Sequence, residues 1–422
     1  MPETVHPTIL MRLYMATLQL ARPIMRRQLV SRLSRGKELP DRWREKFGDP
    51  SQLRPDGPVI WIHAVGLGEV MALRGLIANL GERHPEWSFL VTSSTRQSAT
   101  VFGQNLPPRT IHQFLPLDAP SYVKRFLHHW RPNLAIWSEQ DLWPTAVYWT
   151  DRLGIPLALI NGRMNDRAYA ARRRVRGIYA NLYKRFAIIS AQDEKSALNL
   201  RDLGAERVQV DGSTKSTGPG LEYDRDVYDE LSNALGDRFV WVLASSHPTD
   251  EEIAIAAHRQ IIEKNPNSLL IIAPRRVERA DELVKSMMSD QWVFARRSLG
   301  DAILPNTQIL MADSYGELGL WYRLAKIALI GGTYDDTQGH NPWEAIHLGL
   351  PVLHGPKTAN FMADYDQLDQ IGASTLVYST DELVKTLVQG NWPDMQQSGR
   401  IVIDVNAKTL DKLCEILTRL VH

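Results

Sequence analysis

A single cysteine, Cys414, stands in a chain of 422 residues. An intramolecular disulfide framework is therefore excluded, and this usage fits a reducing compartment. An excess of charge of either sign is also missing, with 49 Lys and Arg against 48 Asp and Glu, so nothing global points to a nucleic-acid partner. There is no GxGxxG, no P-loop, no HExxH, no Cys/His array and no Asp-x-Asp after a strand. These absences remove the usual dinucleotide, NTP and metal signatures, and His128-His129, adjacent on an expected helix, point apart. No metal and no cofactor are expected.

A long apolar run is likewise lacking. The N-terminal stretch with Ile9, Leu10, Met11, Leu13, Leu18, Leu20 and Ile24 is interrupted by Arg12, Arg22 and Pro23, whereas a spanning helix needs about 20 mostly apolar residues. No small-residue cleavage site follows an uninterrupted apolar run, so no signal peptide is expected. Arg22, Arg26, Arg27, Arg32, Arg35, Lys37, Arg42 and Arg44 crowd the same region. A short apolar helix with basic flanks lies in the interface of an anionic bilayer. The same segment also reads as a helix capping a domain.

What is present is a regular alternation of strand and helix signals, the mark of α/β layers around parallel sheets. The length exceeds one compact core and suits two domains of roughly 150–200 residues. Apolar runs predict strands at 59–63, 89–92, 135–138, 157–161, 186–190 and 208–210, with helices at 71–80 and 122–130. The Gly/Ser/Thr-rich stretch 212–223 reads as a linker. A second run of strands follows at 239–244, 269–273, 308–311, 327–330 and 351–353, and 406–420 has helical periodicity. The expected division is a basic, apolar membrane-associating segment 1–46, two Rossmann-like domains at 47–215 and 216–405, and a closing helix 406–422. In doubly wound sheets ligands bind at the carboxyl ends of strands, and the cleft between the two halves is the expected site.

Polar clusters sit at those strand ends. In HAVGLGE (63–69) two glycines permit a tight turn, and Glu69 follows at a helix start. A carboxylate there can take a proton from an attacking hydroxyl, or it can merely complement the helix dipole. In SEQDLWP (138–144) Glu139 and Asp141 can stabilise charge or cap the next helix. Arg163, Arg167, Arg172, Arg173, Arg174 and Arg176 form either a phosphate-binding group or a solvated helix face. In the second half, SSHPTDEE (245–252), PRR (274–276), DSYGEL (313–318) and GGTYDDTQGHNPWEA (331–345) each follow a strand. Helix N-termini at such positions receive nucleotide phosphates.

Taken in order, together with FLPLDAP (114–120), INGRMNDR (160–167), AQDEKSALNLRDLGA (191–205), GSTKS (212–216) and GLPVLHGPKTANF (349–361), these motifs resemble the bacterial 3-deoxy-D-manno-octulosonic acid (Kdo) transferases. The resemblance runs from about Arg42 to Phe361, and the basic-apolar N-terminus is similar to the family's membrane anchor. It implies a GT-B fold of two Rossmann-like domains. It also implies an inverting, metal-independent transfer from CMP-Kdo to a phosphorylated lipid A precursor at the cytoplasmic face of the inner membrane. Glu69 matches the family's general base, and Glu139 and Lys215 match positions that stabilise the transition state. Pro274, Arg275, Tyr315, Gly316, Glu317, Asn341, Pro342, Trp343 and Glu344 match the CMP-binding segments. The chain departs from the family's pattern at Gly66 for serine, Gln140-Asp141 for Thr-Glu, Thr145 for asparagine, Tyr315 for methionine and Gln338 for glycine. The alternatives are a GT-B transferase with another nucleotide sugar or acceptor, and a non-catalytic membrane-bound homologue.

Overall fold

The computed structural model describes residues 5–104, 106–213, 216, 218 and 220–421. The chain forms two compact units, Met1–Gly218 with Asn406–His422, and Pro219–Val405. Each is built on a seven-stranded sheet whose strand pairs are all parallel.

The first sheet has strands β1 (Val59–His63), β2 (Ser88–Ser93), β3 (Thr110–Phe114), β4 (Leu134–Ser138), β5 (Leu157–Gly162), β6 (Ile188–Ala191) and β7 (Val208–Val210), in the order β3-β2-β1-β4-β5-β6-β7. The second has β8 (Phe239–Ser246), β9 (Ser268–Pro274), β10 (Phe294–Arg296), β11 (Ile309–Met311), β12 (Ala328–Ile330), β13 (Val352–His354) and β14 (Ser374–Leu376), in the order β10-β11-β9-β8-β12-β13-β14. The order reverses between β1 and β4 in one unit and between β8 and β12 in the other. These are the two topological switch points, where successive crossovers leave to opposite faces and a crevice opens at the carboxyl edge.

Both faces of each sheet are covered, which is why the central strands are apolar throughout rather than alternating. On β1, Val59 and Trp61 point into one core cluster while Ile60 and Ile62 point into the other. On β8, Val240, Val242 and Ala244 face one layer, and Trp241 and Leu243 the opposite one. Three strands escaped the sequence reading. In β3 the buried residues include His112 and Gln113, which bond to Arg42, Ser93 and Ser51. The other two, β10 and β14, are three-residue edge strands.

The N-terminal segment folds onto the first unit. Helix Ile9–Leu20 is capped by the Thr8 hydroxyl, which accepts from Met11 N at 3.2 Å. Its Met11 and Met15 enter the core, each burial worth about 1.5–3 kcal/mol. Its outer face leaves Ile9 79% and Leu13 60% exposed, and Leu20 and Ile24 follow them. The domain-capping reading thus holds for one face, and the other face carries exposed apolar side chains. Among the described residues no helix is long and apolar enough to cross a membrane. The closing helix, Trp392–Arg419, begins earlier than its periodicity predicted. Trp392 stacks on Phe239 of the second unit, while Leu410, Leu413, Cys414 and Leu417 belong to a core of the first.

Asp118 ties the N-terminal helix to the carboxyl edge of the first sheet. Fully buried, it accepts from Thr145 N and Ala146 N at 2.9 Å, which caps helix Pro144–Arg152, and from Tyr14 Oη at 3.0 Å. Burial lifts its carboxyl to about 7 although these hydrogen bonds pull it down. Asp118→Ala leaves two buried N–H groups unpaired, at about 1–3 kcal/mol each. The melting temperature of this unit is expected to drop by several degrees in calorimetry. Because its folded pKa is raised from 3.8 to about 7, ionised Asp118 opposes folding as pH rises through that window. Asp118→Asn therefore gains on the wild type between pH 4 and pH 8, and a constant difference in stability would refute the assignment.

Candidate active site

At the first switch point the chain leaves β1 at His63, turns through Ala64–Gly66 and enters helix Leu67–Arg83. Glu69 is the third helical residue, and its side chain reaches back to the turn. Oε2 accepts from Val65 N at 2.9 Å and from Gly66 N at 3.3 Å. A Cβ at Gly66 would lie 3.5 Å from Glu69 Oε1, an ordinary contact, so the residue type there directly sets the surroundings of the carboxylate. Burial raises the pKa of Glu69, and the charge of Glu139 raises it further. The two backbone hydrogen bonds work against this, and Asp141 adds a smaller push upward.

Glu139 follows β4, the strand next to β1. It is nearly buried and its N–H bonds to Ile160 O at 2.9 Å. Its φ is +64°, a conformation that costs a residue with a side chain about 1–3 kcal/mol. The surroundings hold it there. Buried Arg172 donates to the carbonyl of Gln140 in the next position, to Tyr183 Oη and to Met164. Arg172 is thus a prop for the acidic turn, while Arg167, Arg173, Arg174 and Arg176 of the same basic run are exposed. Beneath the turn, His63 is wholly buried. Its Nδ1 pairs with Thr92 O and Oγ1, its ring meets Trp137 edge-on, and burial drops its pKa to about 3. A neutral imidazole therefore forms the floor between the two acids' strands.

The second switch point is built around close backbone approach. A Cβ at Gly331 would meet Ser245 O at 2.4 Å, and Ser245 itself has φ +57°. Buried Asp250 joins the two turns by accepting from His247 N at 2.9 Å and Gly332 N at 2.6 Å. Above them the rings of His247 and His340 stack, with Nε2 to Nε2 at 2.9 Å. One imidazole must donate and the other accept across that contact. Burial, then His247 and Arg275, take the pKa of His340 down to about 4, against Asp335. Sequence motifs showed both histidines but not that residues 93 apart meet.

The expected nucleotide segments converge on this same edge, though not all as ligand surfaces. Pro274 ends β9 buried, and exposed Arg275 donates its N–H to Ser246 O at 3.1 Å. Tyr315 is exposed with its hydroxyl on Glu278, and Gly316 has φ +86°. Glu317 is bound bidentately by Arg297 and receives the Ser314 hydroxyl. Against the upward push of burial these bonds hold its carboxyl below the ordinary value. Asn341 caps the next turn through Trp343 N, and its side chain also bonds Glu344, whose pKa burial raises. Trp343 is fully buried with Nε1 on Asp364, and Pro342 is buried beside it. These two underpin the turn from inside. Lys215 lies outside the described residues. No group of three metal-ligating side chains occurs among the described residues.

Known proteins give this geometry a context. Residues 41–217 match the family described as 3-Deoxy-D-manno-octulosonic-acid transferase (kdotransferase). A probable mitochondrial 3-deoxy-D-manno-octulosonic acid transferase of Arabidopsis thaliana is 33% identical over 83% of this chain and 80% of its own length. The 3-deoxy-D-manno-octulosonic acid transferase of Haemophilus influenzae is 30% identical over 88% of each. A UDP-GlcNAc 2-epimerase structure from Neisseria meningitidis aligns with TM-score 0.54 at 15% identity, covering 83% of this chain and all of the other. It shares the fold alone. Two Rossmann-like units of GT-B type, acids flanking one switch point and relatives aligned over most of the chain lead to one conclusion: the chain belongs to the Kdo transferase family of glycosyltransferases.

Proposed function

We propose that the chain transfers Kdo from CMP-Kdo to a phosphorylated lipid A precursor, with inversion and without a metal, at the cytoplasmic face of the inner membrane. The observation that carries this reading is Glu69, a half-buried carboxylate fixed by two backbone N–H groups at a switch point, with its basicity raised by Glu139. An acceptor hydroxyl loses its proton to Glu69 while its oxygen bonds to the anomeric carbon of Kdo. The bond from that carbon to the CMP phosphate breaks, and its electron pair leaves on the phosphate. One base on the face opposite the leaving group suffices for inversion. Glu139 raises the proton affinity of Glu69 and stabilises positive charge on the sugar. Arg275, Lys215 and backbone N–H groups balance charge on the departing CMP, the task a metal performs elsewhere. Support for the membrane surface comes from exposed Ile9, Leu13, Leu20 and Ile24 beside a shallow basic groove lined by Arg22, Arg26 and Arg27.

Purified protein given labelled CMP-Kdo and a tetraacylated lipid A precursor is expected to form a Kdo-lipid product by mass spectrometry. Glu69→Gln should lower kcat by about 10²–10⁴. Absence of product from wild type overturns the substrate assignment, and full activity in Glu69→Gln overturns the base. Because Glu69 acts deprotonated and its pKa is raised, kcat/KM falls as pH drops through a value above 4.5. Glu139→Gln removes the second-largest cause and moves that acid limb to lower pH. For the donor, CMP is expected to raise the melting temperature where UDP and GDP do not, since ligand at 100-fold its Kd adds about 2.7 kcal/mol. An equal shift with UDP would favour another nucleotide sugar. Co-sedimentation with vesicles rich in anionic lipid tests the surface: a Leu13→Glu, Ile24→Glu variant should stay in the supernatant, and unaltered binding would refute it.

A further inference from the structure

Helix Arg22–Ser34 is polar nearly all round, yet it packs, and its two faces line different hollows. One is the basic groove. The other, formed by Met25, Leu29 and Arg32 with Lys46, Leu115, Leu117 and Trp143, is a cavity of about 200 Å³ in the first unit. Its polar wall is satisfied from within. Glu38, fully buried, accepts from Lys46 Nζ and from Arg32 Nε, each at 2.6 Å. What remains toward the cavity is mostly thioether, leucine and indole, with the amide of Gln28 beside them, a lining that holds apolar matter better than water. One polar atom stands apart. Ser94 Oγ, from the residue after β2, lines the cavity and has no hydrogen-bond partner in the structure.

The position links the cavity to the chemistry. Ser94 follows β2, Leu115 follows β3 and Trp143 closes the turn after β4. All three occupy the carboxyl edge that also holds Glu69 and Glu139. Trp143 in turn packs edge-on to His63, which starts the Glu69 turn, with ring centroids 6.5 Å apart.

We infer that this cavity is a subsite for one acyl chain of the acceptor, with Ser94 Oγ donating to the acyl carbonyl and Met25, Leu29, Leu115 and Leu117 enclosing the methylenes next to it. The inference rests on the lipid acceptor proposed above. It commits to the acceptor rather than a bulk membrane lipid because the cavity shares the strand edge of the base, and because Arg32 and Lys46 leave one positive charge in excess of Glu38, the single carboxylate that pairs with both. The N-terminal helices then act as a substrate-selecting wall as well as a membrane contact.

Leu29→Trp and, separately, the milder Leu117→Phe fill the cavity from opposite sides. Transfer is measured with the tetraacylated precursor and with its fully deacylated, water-soluble analogue. The ratio of kcat/KM for acylated over deacylated acceptor is expected to fall about tenfold, the equivalent of roughly two buried methylenes, while KM for CMP-Kdo is unaltered. A ratio equal to wild type in both variants overturns the inference. In wild-type protein, a precursor carrying a diazirine near its acyl carbonyl should label residues 25–29 or 115–117, and labelling confined to other segments overturns it independently of how the variants fold. Wild type that makes no product with either acceptor sinks the transferase reading itself, whereas product with unshifted ratios sinks only the subsite.

Discussion

A parallel sheet wound in both directions from its middle has one gap where neighbouring strands send their chains to opposite faces, and the rest of this molecule is arranged around two such gaps. At β1 and β4 the gap is filled by acids. At β8 and β12 it is filled by imidazoles, glycines and one buried aspartate. The geometry explains why the functional groups come from turns far apart in sequence. Each turn is short and anchored to a buried strand, so its position is set by sheet register rather than by the loop itself.

Burial has an electrical consequence, at these gaps and away from them. Glu69, Asp118, Asp250 and Glu344 all have raised pKa values with desolvation as the leading cause. His63, His112, His258 and His340 are lowered for the same reason. Those in structural roles meet the cost with hydrogen bonds, as Asp118 and Asp250 do. Glu69 is different because its like-charged neighbour Glu139 is held in place by a strained backbone. That arrangement makes sense where proton affinity is the product required.

Much of this was legible in the residues. Central strands buried on both faces leave continuous apolar runs, which with the edge strand 208–210 made eleven strands readable, 59–63 and 208–210 to their exact ends. The remaining three were hidden by physics rather than by chance. Residues 110–114 carry polar side chains that are buried only because partners from distant segments satisfy them, and the three-residue strands 294–296 and 374–376 carry Arg296, Ser374 and Thr375, which interrupt any apolar run. The site divided in the same way. Glu69 and Glu139 announced themselves as acids after strands. The His247–His340 contact, the propping of the acidic turn by Arg172 and the burial of Trp343 each depend on tertiary neighbours. A motif string cannot show that a buried residue such as Trp343 supports its turn from inside.

The last helix carries a consequence for how the chain is made. Its segment from Asn406 onward supplies Leu410, Leu413, Cys414 and Leu417 to the core behind β1 and β4, and Asp411 pairs with Arg83 there. The first unit is therefore discontinuous in sequence, with the whole second unit inserted in its chain. During vectorial synthesis the emerging N-terminal part has this sheet face covered by helix Leu67–Arg83, but its core lacks Leu410, Leu413, Cys414 and Leu417 until they are translated. The second unit, translated later, has all of its own strands earlier than that and can close first. Order of synthesis and order of completion are reversed, and the half that bears Glu69 is the one that waits.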